Sequence, residues 1–176
     1  MTLESLQRFK TEQWVAAETV RVFHFFADPR NLPAITPPRS GARVVSLKLV
    51  APPEIPETKN GPGLAGAGSE IVISVRPLPW LPFRSRWRAR ITRFEYGAYF
   101  EDEQASGPFQ LWHHRHEFQT EKREAIQGTI IRDIVNYQVG FGPVGQLADL
   151  LMVRRALRQM FQFRHGATER AFTDKG

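Results

Sequence analysis

The chain has 176 residues, 41% hydrophobic and 11% aromatic, with a formal charge of +6 and no cysteine. That length suits one domain able to bury roughly 70% of its unfolded surface, so folding needs no metal or disulfide staple. The missing cysteine excludes disulfides, a thiol nucleophile and thiolate metal sites, and no apolar run reaches the roughly 18 residues of a membrane helix.

The first ten residues carry Glu4 and lack an apolar core, unlike a secretory signal. A cytoplasmic location is therefore the default expectation. Only five of the 24 basic residues are lysine. A pI near 10.2 draws attention to nucleic acid and anionic membranes as partners. The charge is spread along the chain, however, with one dense stretch from Arg76 to Arg93.

In chain order, Gln7 to Val15 reads as a strand. Glu18 to Ala27 carries Val22, Phe23 and Phe26 at the spacing of a short amphipathic helix. Asp28-Pro29 ends it, because a residue before proline avoids helical geometry. Asp28 then caps a second short helix that bears Asn31, Leu32 and Ile35 and stops at Pro37-Pro38. Arg43 to Val50 reads as a strand. The stretch from Ala51 to Gly68 is a long proline- and glycine-rich loop, expected to flank the cavity mouth or be disordered, with Gly61–Gly68 as a mobile flap. Ser69 to Arg76 is a strand, and Pro77 to Phe83 a proline-stiffened connection. Arg84 to Phe94 alternates strictly, with Arg86, Arg88 and Arg90 on one side and Trp87, Ala89 and Ile91 on the other. Tyr99 to Gln104, Gln110 to Thr120 and Gly128 to Val139 are three more strands. Pro143 to about Arg164 is the longest helix, with Leu147, Leu150, Leu151, Leu157 and Phe161 as its apolar positions.

Strands that follow one another with short connections pair as an antiparallel meander. One face of such a sheet must be buried, and the last helix is the available cover. The expectation is an α+β chain of about seven strands, order β-α-α-β6-α, curved around a long C-terminal helix. It forms one domain over residues 1–176, with 1–5 and 166–176 as loose ends.

Four motifs carry a resemblance. They are Val22-Phe23-x-Phe25-Phe26-x-Asp28-Pro29-x-Asn31-Leu32, Phe100-x-Asp102-x-Gln104-x-x-Gly107-Pro108-Phe109, Trp112-x-His114-x-His116-x-Phe118, and Asp133-x-Val135-x-Tyr137 followed by Gly140-Phe141-Gly142-Pro143-x-Gly145. With this element order, the chain resembles the helix-grip fold of the START-related superfamily, which includes the birch pollen allergen, lipid-transfer domains and aromatic polyketide cyclases. It is most similar to bacterial ligand-binding proteins of the cyclase/dehydrase or coenzyme-Q-binding-like type. Gly140 departs from the pattern, where relatives often have proline, and the Arg76–Phe83 connection is long. The resemblance implies a hydrophobic cavity between sheet and helix that holds a lipid, polyketide or quinone-like molecule, and it implies no metal and no cofactor. Fold membership does not choose among these uses.

Strand alternation identifies candidate side chains for that cavity. Trp112, His114, His116 and Phe118 share one parity. Asp133, Val135 and Tyr137 share another, and Phe100, Asp102 and Gln104 a third. Phe26, Trp87, Phe100, Trp112, Phe118 and Tyr137 are expected to line one continuous space, with Asp102, Gln104, His114, His116, Asp133 and Tyr137 as its polar groups. Six polar groups on one concave face need partners once desolvated.

Several readings stand side by side. The groups satisfy one another in a buried network, or they orient a hydroxyl or carbonyl of a hydrophobic ligand. Alternatively, His114 or His116 with Asp133 acts as a general acid–base pair in a cyclase or dehydratase of the lyase type. A His-x-His strand with a carboxylate also matches a two-histidine, one-carboxylate metal set, a pattern common by chance. A further reading is a non-catalytic partner of an oxidoreductase or membrane component. His113 is expected to be exposed, and His24 and His165 to be surface or helix-end side chains. The glycine-rich stretch Gly61–Gly68 lacks the lysine and serine or threonine of a phosphate loop. Arg84, Arg86, Arg88 and Arg90 form either a solvated face or a contact with an acidic partner or an anionic membrane. Trp87 lies on the opposite side of that strand, which argues against nucleic acid.

Overall fold

The structure is a computed structural model that describes residues 6–53, 63–76 and 83–173. Strand β1 is Gln7–Val15, and helix α1 is Thr19–Ala27. Two 3₁₀ turns, Pro29–Ile35 and Pro38–Ser40, follow. Asp28 caps the first by accepting from the Arg30 amide, with Pro29 at the first helical position as the sequence predicts. The remaining strands are β2 Arg43–Lys48, β3 Glu70–Val75, β4 Ser85–Glu95, β5 Tyr99–Ser106, β6 Leu111–Arg123 and β7 Ile126–Gln138. The chain closes with α2 Gly142–Ala148, a π-helical turn Asp149–Val153, and α3 Arg154–Thr173.

All seven strands form one antiparallel sheet in the order β1-β7-β6-β5-β4-β3-β2. The meander from β2 to β7 needs no crossover, and β1 closes the far edge against β7. Alternation on β6 is regular. Trp112, His114, His116 and Phe118 are buried, and the residues between them are half-buried. The predicted register therefore holds, because shifting by one residue would turn this whole set to solvent.

The apolar core falls into two clusters. One gathers Val22 and Phe23 of α1 with Phe100, Phe118 and Ile131, and Phe26 packs against it. The other gathers Trp112, Val135, Tyr137, Leu157 and Phe161, with Phe9, Trp87 and Phe109 around them. The six aromatic residues expected around one space are thus divided three and three. The reason is a polar layer between the clusters, described below.

The C-terminal segment departs from the sequence reading in three ways. The helix is interrupted by the π turn, which breaks the 3.6-residue register. Leu147 and Leu151 consequently stand exposed with Val144, while Leu157 and Phe161 are buried. The helix also runs to Thr173, through residues 166–173 where a loose end is suggested by sequence, and it buries Ala167 and Thr168. Finally, Phe141 takes a left-handed φ of 62° between Gly140 and Gly142, which do the same. Glycine bears that geometry without strain, and it carries the chain from the last strand into α2.

The glycine-rich stretch is also corrected in part. Leu64 and Ala65 belong to the core, and the Ala65 amide donates to the Ala27 carbonyl at the end of α1. This end is packed structure and not a flap. The rest of that loop, residues 54–62, and most of the proline-rich connection, residues 77–82, lie outside the described residues. Among the described residues no helix is long and apolar enough to cross a membrane.

Candidate functional site

The polar layer is built by β5, β6, β7 and α3. Cross-strand pairing sets Asp102 opposite His114, and His116 opposite Asp133. The His114 and His116 rings are two residues apart on one face and lie against each other, tilted by 43°, with centroids 3.8 Å apart. His116 lies 4.4 Å from the Phe100 ring in the first cluster. His114 meets Phe161 and Trp112 in the second. The pair therefore bridges the two apolar clusters.

Asp133 is the centre of the layer. His114 Nε2 donates to Asp133 Oδ1 at 2.9 Å. His116 Nδ1 lies 2.7 Å from the same oxygen, but it points away from the line of a good hydrogen bond and has no such partner. Arg164 Nη1 of α3 lies 3.7 Å from that oxygen. Asp102 Oδ2 stands 3.6 Å from both His114 Nδ1 and His116 Nε2, too far for a hydrogen bond. Among the described residues, three buried side-chain atoms have no hydrogen-bond partner: His116 Nδ1, Arg164 Nε and Thr168 Oγ1.

Charge in this layer is strongly coupled. Burial pushes Asp133 up, but the charge of His116, its close approach and the hydrogen bond from His114 hold it well below the usual carboxylate range. Asp102 is also lowered, because His116, His114 and Arg164 outweigh its burial. Burial and the charge of His116 lower His114 and keep it neutral. His116 is raised, since Asp133 and Asp102 outweigh its burial. Burial lowers Arg164 below a free guanidinium. Two imidazoles and one guanidinium thus face two carboxylates.

Two residues expected in this site lie elsewhere. Gln104 turns to the β5–β6 loop, where its Nε2 donates to the Phe109 carbonyl and its Oε1 accepts from the Phe109 amide. Gly107 makes room for it, as a Cβ there would sit 2.3 Å from Gln104 Oε1. Tyr137 is buried on the expected face, but its hydroxyl donates to Asp149 Oδ1 at 2.7 Å. Asp149 also accepts from Arg154 Nε at 2.9 Å. This ties β7 to the π turn and raises the Tyr137 pKa through burial and the Asp149 carboxylate.

His113 is half-buried on the outer face, bonded to Glu101 Oε2 at 3.1 Å, and not freely exposed. His24 meets the Tyr96 hydroxyl at 2.8 Å. His165 lies beside Thr11 Oγ1 at 3.3 Å. Arg86, Arg88 and Arg90 are exposed on the outer face. Arg84 instead folds down to bond Ser74 and the Gly41 carbonyl.

No protein-family model and no curated protein matches the chain. Solved structures do match. Ara h 8.0201 is 13% identical with a TM-score of 0.64, over 97% of this chain and 100% of its own. A START superfamily protein from Mycobacterium smegmatis is 11% identical with a TM-score of 0.64, over 95% and 99%. A protein from Thermus thermophilus is 16% identical with a TM-score of 0.61, over 93% and 94%. The chain has the helix-grip fold.

In this helix-grip chain the gripped helix is α3, and it supplies what the strand pattern does not show. Leu157, Phe161, Arg164 and Thr168 recur at helical spacing and are all buried. The inward stripe starts apolar and turns polar where it meets the histidines. Arg164 and Thr168 are the site residues that sequence reasoning missed. The available signal was an arginine at i+3 from Phe161 on the apolar stripe.

Proposed function

We propose that the chain binds a hydrophobic small molecule carrying an oxygen acceptor, held between the concave sheet face and α3. The observation that carries this reading is a pair of buried donors on α3 without a partner among the described residues, Arg164 Nε and Thr168 Oγ1, with Arg164 also approaching Asp133 of the histidine layer. An unsatisfied buried donor costs about 1–3 kcal/mol, and native proteins keep few of them. A ligand carbonyl, carboxylate or hydroxyl would satisfy both donors, while the aromatic clusters on either side suit an apolar body. The helix-grip likeness to a START superfamily protein and to Ara h 8.0201 supports the same class of use. Lipid, polyketide and quinone-like molecules all fit this chemistry.

Native mass spectrometry of the purified protein tests the reading. The expected result is a co-purifying or added apolar oxygen-bearing molecule at one per chain, lost in Arg164→Met. A protein that takes up no such molecule would overturn it.

A second reading is favoured by one specific contact, the 2.9 Å bond between His114 and Asp133. The carboxylate would fix the imidazole tautomer and leave Nδ1 as a general base on a bound carbonyl compound, as in a cyclase or dehydratase. His114→Gln would then lower turnover about 10²–10⁴-fold with little change in affinity.

A further inference from the structure

The geometry points to a divalent transition-metal site formed by Asp102, His114 and His116, with Asp133 as the outer carboxylate that aims both imidazoles. This proposal goes beyond small-molecule binding and does not depend on it, and it runs against the resemblance, which implies no metal.

Three donor atoms converge at one corner. Asp102 Oδ2 is 3.6 Å from His114 Nδ1 and 3.6 Å from His116 Nε2. These three groups can all reach one ion, with their ligand atoms within 4.8 Å of one another. The 3.6 Å spacings are too long for hydrogen bonds, yet they are close to what a cation requires. Bonds of about 2.1 Å from one ion to nitrogen and oxygen ligands set neighbouring donors about 3.4 Å apart around a tetrahedron.

The remaining ring atoms agree with that role. His114 Nε2 donates to Asp133 Oδ1, so the neutral ring carries its proton there and turns the lone pair of Nδ1 to the corner. His116 Nδ1 lies 2.7 Å from the same oxygen, which leaves its Nε2 facing the corner too. With His116 neutral, as a metal ligand must be, three lone pairs converge in a buried place, and either a proton shared with Asp102 or a metal ion there would offset their repulsion. A carboxylate accepting from the second ring nitrogen of a ligating histidine, as Asp133 does from His114, is a common way to fix tautomer and ring orientation in metal sites.

Arg164 does not oppose this. Its Nη1 approaches Asp133, the outer carboxylate. Asp133 is the carboxylate nearest the guanidinium, Asp102 also feels its charge, and Asp102 would serve as the ligand that balances the ion. Two histidines and one carboxylate leave coordination positions open for water or for an oxygen of a bound molecule. Nitrogen and oxygen donors of this kind suit Zn²⁺, Fe²⁺ or Co²⁺ and not Ca²⁺ or Mg²⁺. Metal on His114 Nδ1 would also occupy the nitrogen that a metal-free acid–base reaction needs.

The test is titration of the chelator-treated full chain with Co²⁺, followed by displacement with Zn²⁺ and elemental analysis. The expected result is one Co²⁺ per chain with the visible spectrum of a low-coordinate nitrogen–oxygen site, quenched by Zn²⁺. Asp102→Asn and His116→Gln should each weaken binding at least about 100-fold, and Asp133→Asn about 10–100-fold. His113→Gln, on the opposite face of the same strand, should leave it unchanged. Substoichiometric uptake by the unsubstituted chain would overturn the proposal. So would binding that survives both Asp102→Asn and His116→Gln, since the ion would then lie elsewhere. The titration of the unsubstituted chain decides even if a variant fails to fold.

Discussion

The two faces of the β5–β6 pair carry nearly the same side chains and use them differently. On the outer face Glu101 accepts from Arg115 Nη1 at 2.5 Å and from His113 at 3.1 Å, with Arg93 at 3.6 Å. Arg115 also bonds Glu117 at 2.6 Å and lies 3.7 Å from the centre of the Tyr99 ring. That cluster satisfies its own charges, and long arginine stems bury the Glu101 carboxylate. On the inner face, one residue along each strand, Asp102, His114 and His116, together with Asp133 of β7, leave bonds unmade. Arg164 and Thr168 add donors without an acceptor among the described residues. A network that serves stability closes on itself. The inner one leaves polar atoms unsatisfied at a cost in stability, which is the pattern the proposed binding site would produce.

The largest expected effect comes from the centre of the inner network. Asp133→Ala removes the carboxylate shared by two imidazoles and Arg164, leaving buried positive charge unpaired. It should destabilise the fold by about 3–5 kcal/mol in denaturant unfolding. A loss under about 1 kcal/mol would mean that Asp133 is not the hub of the layer.

On the outer face, Glu101→Gln should cost about 1.5–3 kcal/mol at neutral pH, the range for hydrogen bonds to a charged group. Burial pushes the Glu101 pKa up, but Arg115 and His113 outweigh it and hold it below the ordinary value of 4.5. Its stabilisation is therefore complete above the unfolded-state pKa and fades as pH falls through the lower folded-state value. The difference between Glu101→Gln and the natural chain should shrink as unfolding is followed below pH 4.5. A difference that stays constant into acid would break the outer half of the comparison.

The smallest effect has the opposite sign. Thr168→Val replaces a fully buried hydroxyl that has no partner with a methyl group of the same shape. Thermal unfolding should show a gain of about 1 kcal/mol. A loss of similar size would show that the hydroxyl is satisfied in solution and that the inner face is better paired than its geometry indicates.

Much of the inner face was legible because strands alternate with period two. Trp112-x-His114-x-His116-x-Phe118 and Asp133-x-Val135-x-Tyr137 need only a correct parity to meet, and the observed register brings them together. Alternation also explains the errors. It places Gln104 on the right face, but it does not show that a long amide at the end of β5 folds back on Phe109. It cannot reveal that the hydroxyl of Tyr137 reaches a helix residue, Asp149. The helix was less legible, since its face depends on angular register summed over many residues. The π turn at Asp149–Val153 resets that register. As a result Leu147 and Leu151 of the stripe read from sequence stand exposed while Leu157 and Phe161 are buried, and the polar continuation at Arg164 and Thr168 was not read as part of the buried face.

The most direct measurement is equilibrium binding of 8-anilinonaphthalene-1-sulfonate, an apolar anion, to the folded chain and to two arginine variants. Arg164→Met removes the inner guanidinium, and Arg115→Met removes its counterpart on the outer face. If the inner face is a built site, the natural chain binds one probe saturably. Arg164→Met should weaken that binding at least about tenfold, the scale of one charged hydrogen bond, and Arg115→Met should leave it unchanged. Equal affinity in all three proteins would contradict the account.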